Sequence, residues 1–150
     1  MKFLCDQMLG TLAKWLRIYG FDTFYATSTI SDDKIIIIAK KEDRCLITRD
    51  KELAFRCKKE NIRVLYFKVV NLDEQLNIVL QNLLVDKNKF LTRCLICNSE
   101  LSKINKDNIK DKVPIKIFQN HEKFWFCKKC DKIYWRGSHY NKMTQKLINL

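Results

Sequence analysis

A chain of 150 residues, 47% apolar and with only three Gly and one Pro, can bury a real core and leaves little length for loops. Its 29 Lys and Arg stand against 17 Asp and Glu, a formal charge of +12. The Ile35–Ala39 apolar run is five residues flanked by charge, far short of the ~20 that a membrane span needs, and the opening Met1-Lys2-Phe3-Leu4-Cys5-Asp6 reaches a carboxylate too soon for a signal peptide.

The expectation is therefore a cytoplasmic protein with no membrane association, whose seven cysteines are kept reduced. The charge is uneven. Residues 1–86 hold fourteen Lys and Arg against twelve Asp and Glu, whereas residues 87–150 hold fifteen against five. An excess concentrated on the smaller segment suits a polyanion, because neutralising phosphates releases condensed counterions. A lysine-rich background composition is the plainer explanation for part of it.

Lys2 to Cys5 reads as a short buried strand ending on Asp6. Met8 to Tyr19 reads as a helix, with Leu9, Leu12, Ala13, Leu16 and Tyr19 on one face and Lys14 and Arg17 on the other. Gly20 closes it, being able to take positive φ. Thr23 to Ala26 gives a second strand. Ser31-Asp32-Asp33 resembles a capped helix start whose acids suit the positive end of the dipole. The helix would run to about Asp43, although the β-branched Ile35 to Ile38 taken alone favours a strand. Arg44 to Thr48 is a third strand, followed by Arg49 and Asp50. Residues 51–60 form a basic helix and Ile62 to Phe67 a fourth strand. Asn71 or Asp73 then starts an amphipathic helix expected to bury Leu76, Val79, Leu80, Leu83 and Leu84.

Strand and helix alternating four times is the pattern of an α/β fold, a three-layer parallel sheet covered on both faces. From Phe90 the pattern stops and cysteine usage changes, so the expected organisation is a first domain over residues 1–88 and a second module over 89–150. The second module carries Cys94-Leu95-Ile96-Cys97 and Cys127-Lys128-Lys129-Cys130. Two Cys-x-x-Cys knuckles are the ligand set of a structural Cys₄ zinc ribbon, and Lys128 and Lys129 are expected to help keep the second pair ionised. Twenty-nine residues separate Cys97 from Cys127, so the ribbon must carry an inserted loop. A redox or disulfide pair is the competing interpretation.

In open parallel sheets, ligands bind beyond the carboxyl ends of the strands. Asp6 and Asp50 sit at such ends, and Asp32 and Asp33 begin a helix at the same edge. Acids converging without His or Cys suit Mg²⁺ or Mn²⁺, ions that activate water and neutralise the leaving oxygen of a phosphodiester. Each acid also has an ordinary alternative as a helix cap or dipole partner. Lys14, Arg17 and Arg49 nearby could hold a phosphate backbone. After the second knuckle, Tyr134-Trp135-Arg136-Gly137-Ser138-His139-Tyr140 interleaves rings with basic groups, the composition of a stacking surface for unpaired bases. Arg136, His139 and Tyr140 are the candidate RNA contacts there, while Tyr134 and Trp135 could equally be a ribbon strand packed on the first domain. A helix is expected from about Asn141.

Phe3-Leu4-Cys5-Asp6-Gln7-Met8-Leu9-Gly10, Leu12-Ala13-Lys14-Trp15-Leu16-Arg17, Gly20-Phe21-Asp22-Thr23 and Leu46-Ile47-Thr48-Arg49-Asp50 resemble the signature of the Mut-seven-type C-terminal RNase domain family. Arg93 to Asn98 with Leu101, and Tyr134 to Tyr140, resemble its ribbon and tail. The resemblance implies a PIN-like nuclease domain followed by a zinc ribbon, and a metal-dependent RNase with its acidic site at Asp6, Asp33 (or Asp32) and Asp50. Asp73 is the candidate for a fourth acid. RNA is the implied partner, with ribosomal RNA or the ribosome as one candidate. A non-catalytic RNA- or ribosome-binding protein on the same scaffold is the alternative.

Overall fold

A computed structural model describes residues 1–148 other than Asn82; the side chains of His139, Met143 and residues 146–148 lie outside the described set. Four strands, β1 (Lys2–Cys5), β2 (Asp22–Tyr25), β3 (Arg44–Thr48) and β4 (Val64–Tyr66), form a parallel sheet in the order β2-β1-β3-β4. The chain leaves β1 for one neighbour and later returns to its other side, so the strand order reverses at β1 and β3. That reversal is where such sheets open a crevice at their carboxyl edge.

The side chains alternate as a doubly covered sheet requires. Phe3, Cys5, Cys45 and Ile47 pack beneath α1 (Gly10–Ile18) and α4 (Leu72–Leu80), while Leu4 and Leu46 pack beneath α2 (Asp32–Lys41) and α3 (Lys51–Lys59). The β-branched run of α2 is helical because its caps and spacing agree. Ile35 and Ala39, one turn apart, are buried and Ile37 faces solvent. Ser31 has the extended backbone of a cap residue, but its hydroxyl makes no capping bond; the acids of the first turn do that electrostatic work.

Several expected bounds move. A 3-10 turn over Gln7–Leu9, begun by the Asp6 carboxylate, precedes α1. β4 is shorter than expected because α3 ends through Asn61 at φ 58, which places Ile62 in the turn rather than the ladder. Asn71 caps α4 through Asp73 N and Glu74 N at 2.8 and 3.2 Å. That helix stops at Leu80, leaving Leu83 half-buried and Leu84 fully exposed.

Gly20 does close α1, at φ 85. A Cβ there would lie 2.3 Å from the Lys89 carbonyl oxygen, so the glycine is also what lets the chain return past this corner. Beyond it, Phe90 and Leu91 join the core beneath α1, and Leu91 N donates to Ile18 O at 2.9 Å. β5 (Ser102–Ile104), β6 (Phe124–Cys127) and β7 (Lys132–Trp135) form a separate antiparallel sheet. The inserted loop between β5 and β6 holds a 3-10 turn and the short α5 (Ile115–Asn120). α6 (Ser138–Ile148) begins three residues earlier than expected, its first turn set by Asn141 N donating to Gly137 O. No described helix is long and apolar enough to cross a membrane.

Candidate functional site

The two knuckles meet. Cys94 and Cys97 lie in a turn after Arg93, and Cys127 and Cys130 flank the turn between β6 and β7, so that all four Sγ atoms lie within 4.8 Å of one another. Sulfurs held ~2.3 Å from one tetrahedral zinc stand about 3.8 Å apart, and Cys97 and Cys127 are already 3.5 Å apart. The donor set and spacing fit Zn²⁺, and among the described residues it is the only group of three or more His, Cys, Asp or Glu side chains so gathered. Burial pushes the Cys97 thiol up, but Ser99 and the Cys130 and Cys127 thiols bring it down to about 6. Burial also opposes charge on Cys94, which the Tyr134 hydroxyl, 3.2 Å away, and backbone N–H groups outweigh. Cys130 is pushed up to about 12, first by its hydrogen bond to Cys97 and then by burial. The Lys128 and Lys129 side chains are exposed, and the Lys129 backbone N–H opposes the burial that raises Cys127.

The first knuckle is docked on the edge of β2. Arg17, only 5% exposed, donates through Nε to Thr23 O at 2.9 Å and through Nη1 to Leu95 O and Ile96 O at 2.8 and 3.0 Å. Asn98 accepts from Thr23 N at 3.0 Å and donates to Asp22 Oδ1 at 2.8 Å. Arg17 was expected to face RNA; the structure commits all of these donors to carbonyls. Neither Asn98 nor the Tyr134 hydroxyl stood out in the sequence, where one is a loop residue and the other one ring among several.

At the carboxyl edge of the parallel sheet, Asp6 and Asp50 follow the neighbouring strands β1 and β3. Asp6 is 3% exposed. Its Oδ1 accepts from Met8 N at 2.9 Å, and its Oδ2 accepts from the Thr48 hydroxyl and from Arg49 N at 3.2 Å. Thr48 Oγ1 in turn accepts from Asp50 N at 2.9 Å, so this hydroxyl links the two acids. Asp50 also caps α3, accepting from Glu52 N and Leu53 N at 2.8 and 3.0 Å. Thr48 was missed in the sequence; a hydroxyl at the last position of an apolar strand was its one signal.

Asp32 and Asp33 start α2 at the same edge and are held by Arg56 of α3, whose Nη1 lies 3.4 Å from Asp32 Oδ2 and whose Nη2 bonds Asp33. Asp73 is in the first turn of α4. The carboxylates thus share an edge without being gathered as the thiolates are. Lys14 is exposed on α1, and Arg49 is half-buried with its Nε enclosed and without a partner among the described residues. Arg136 lies with its guanidinium carbon 5.0 Å from the ring centroids of both Trp125 and Tyr140. The side chain of His139 is outside the described set.

These features define a class: a four-stranded parallel α/β domain with acids at two adjacent strand ends, continued by a ribbon carrying four gathered cysteines. The Mut7-C RNAse domain family matches residues 1–147, and the chain belongs to that family. No curated protein and no solved structure matches the chain.

Proposed function

We propose that the chain is a divalent-metal-dependent RNA endonuclease whose zinc ribbon holds the RNA. The observation that carries this reading is the placement of Asp6 and Asp50 at neighbouring strand ends of the sheet's reversal point, linked through Thr48, in a member of an RNase domain family. Asp6, Asp50 and Asp33 or Asp32 offer only oxygen donors, which fit Mg²⁺ or Mn²⁺. Such an ion supplies an activated water and charge neutralisation at the leaving oxygen. The chain's own part is positioning. Thr48 and the Met8 and Arg49 N–H groups fix the Asp6 carboxylate, the start of α3 fixes Asp50, and the charge of the half-buried Arg49 guanidinium beside them favours a phosphate. Lys14 extends the cationic surface on α1. Arg17 has no part in it, because it is spent on the knuckle. A zinc closed by these four thiolates would have no open position for substrate and would be structural. A reducing cytoplasm suits these thiols.

A second reading, a non-catalytic RNA- or ribosome-binding protein, draws support from one observation. The Asp6 and Asp50 side chains accept backbone hydrogen bonds, and Arg56 engages Asp32 and Asp33. The test is cleavage of labelled single-stranded and structured RNA with Mg²⁺ or Mn²⁺ by the parent, Asp6→Asn and Asp50→Asn. Nuclease action predicts cleavage by the parent and a loss of at least a hundredfold in each variant. Tight, salt-sensitive binding without cleavage by the parent selects the second reading.

A further inference from the structure

Within the ribbon segment itself lies a cavity of about 440 Å³, lined only by residues between Leu91 and Tyr140 and within the range of small-ligand pockets. Its walls come from three places in the chain. Leu91 and Leu95 flank the first knuckle, Ile117 comes from α5 in the inserted loop, and Tyr134, Trp135 and Tyr140 follow the second knuckle. Its lining is mostly apolar, with the Trp135 indole N–H and the Ser138 hydroxyl among the polar groups that its residues carry. Arg136 packs over the ring of Tyr140, a residue of the lining, and over that of Trp125, and its Nη2 donates to the Phe90 carbonyl at 3.4 Å. A guanidinium fixed in this way is aimed without being neutralised.

We propose that this cavity is a nucleobase pocket: it takes one unpaired base of a single-stranded RNA, with Arg136 on the adjoining phosphate. The proposal rests on RNA being the chain's ligand and adds where and in what form it is held. An aromatic slot beside a fixed cation is the pairing used for unpaired nucleic acid, since every base has a stackable face and every nucleotide a charge. An apolar peptide side chain would fill the slot but would have no use for the cation packed on its Tyr140 wall. The surrounding segment, with fifteen Lys and Arg against five acids, complements a phosphate chain and not an apolar one. A base paired in a duplex cannot enter, so the pocket selects single-stranded or bulged RNA and positions it from the ribbon side. Gly137 lines the cavity, and a Cβ there would stand 3.1 Å from Trp135 Nε1. A side chain at this position would press on the Trp135 ring that forms the neighbouring wall.

The test uses the zinc-loaded full chain and fluorescence anisotropy with four probes: octauridylate, octaadenylate, an abasic octamer of equal length and charge, and an RNA duplex. The parent is expected to bind the base-bearing strands on the order of tenfold more tightly than the abasic one. Gly137→Leu and Ile117→Trp fill the cavity from two walls while keeping every basic side chain, and each is expected to abolish that preference. Equal affinity of the parent for base-bearing and abasic strands overturns the pocket while leaving RNA binding intact, as does a preference that survives in both filled variants. No binding of any probe by the parent overturns the pocket together with the RNA reading beneath it. Because the first comparison needs only the parent, a variant that fails to fold does not blunt it.

Discussion

Arg17 shows how far a side chain's task can lie from what its neighbours in sequence announce. On a helical wheel it falls on the polar side of α1, next to Lys14, and the two look alike. In the structure Lys14 is exposed and Arg17 is buried, because carbonyls from a knuckle 78 and 79 positions away converge on its Nη1. Burial lowers its pKa, and the Cys5, Cys94 and Cys97 thiols counter that; a guanidinium stays charged in either case. Arg17→Met should therefore cost about 1–3 kcal/mol in urea denaturation, because three backbone carbonyls lose their donor. It should also speed zinc release to a chromogenic chelator, which a residue serving only RNA would not do. Arg17→Lys should recover little, since one ammonium cannot reach all three carbonyls.

Asp22 carries the pH dependence of the same joint. Burial raises its pKa, but hydrogen bonds from Arg44 at 2.6 Å and Asn98 at 2.8 Å, with the charges of Arg44 and Arg93, bring it below the ordinary carboxylate value. A folded pKa below the unfolded one contributes stability that is present above about pH 4 and is lost as pH falls through the folded value. Asp22→Asn should melt below the parent at pH 7, and the gap should close as the pH is taken down towards 3. Thiolate protonation also releases zinc in acid, but it affects both proteins, so the difference between their melting curves isolates Asp22.

At the scale of elements, the strands and helices of the first domain were legible because period and punctuation agree: apolar runs of strand length, each followed by a polar residue and an amphipathic helix. The placement of Asp6 and Asp50 was legible for the same reason, since an acid directly after a strand must lie at the carboxyl edge. What joins them was not. Thr48 donates to Asp6 and accepts from Asp50 N, and no periodicity distinguishes that threonine from any other at a strand end. Equally hidden was the Arg56 contact to Asp32 and Asp33, which depends on α2 and α3 lying side by side on one face. Thr48→Val keeps the shape and removes the link. It should cost about 1–3 kcal/mol in urea denaturation by leaving the buried Asp6 oxygen short of a donor. If the proposed nuclease centre is correct, cleavage should fall further than the stability loss accounts for, when assayed well below the melting temperature.

At the scale of the whole molecule, the change of pattern near residue 89 suggests two modules, yet the contacts run across it. Phe90 and Leu91 complete the core beneath α1, with the Tyr19 and Phe90 rings 5.4 Å apart. Arg17 and Asn98 tie the first knuckle to β2, whose outer edge would otherwise be an unpaired strand. The sequence could place the cysteines but not this docking, because the Arg17 bonds go to backbone carbonyls and Asn98 meets a backbone N–H and the Asp22 carboxylate across some 75 residues of chain, with no local pattern to mark either. The consequence concerns metal removal. A zinc held by the four cysteines would fix the turn that presents the Leu95 and Ile96 carbonyls, so its removal would cost the buried guanidinium two of its three acceptors as well as slackening the ribbon. Protein purified without added metal should contain about one equivalent of zinc, and chelation should lower the melting temperature of the parallel domain together with that of the ribbon. Far-ultraviolet circular dichroism, dominated by α1 to α4, and near-ultraviolet signals from Trp125 and Trp135, read in a Trp15→Phe background, should lose structure in one coincident transition, and Cys127→Ser should reproduce the effect without chelator. Two separate transitions, with the helical one indifferent to zinc, would show that Arg17 and Asn98 are bystanders and that the ribbon is an independent appendage.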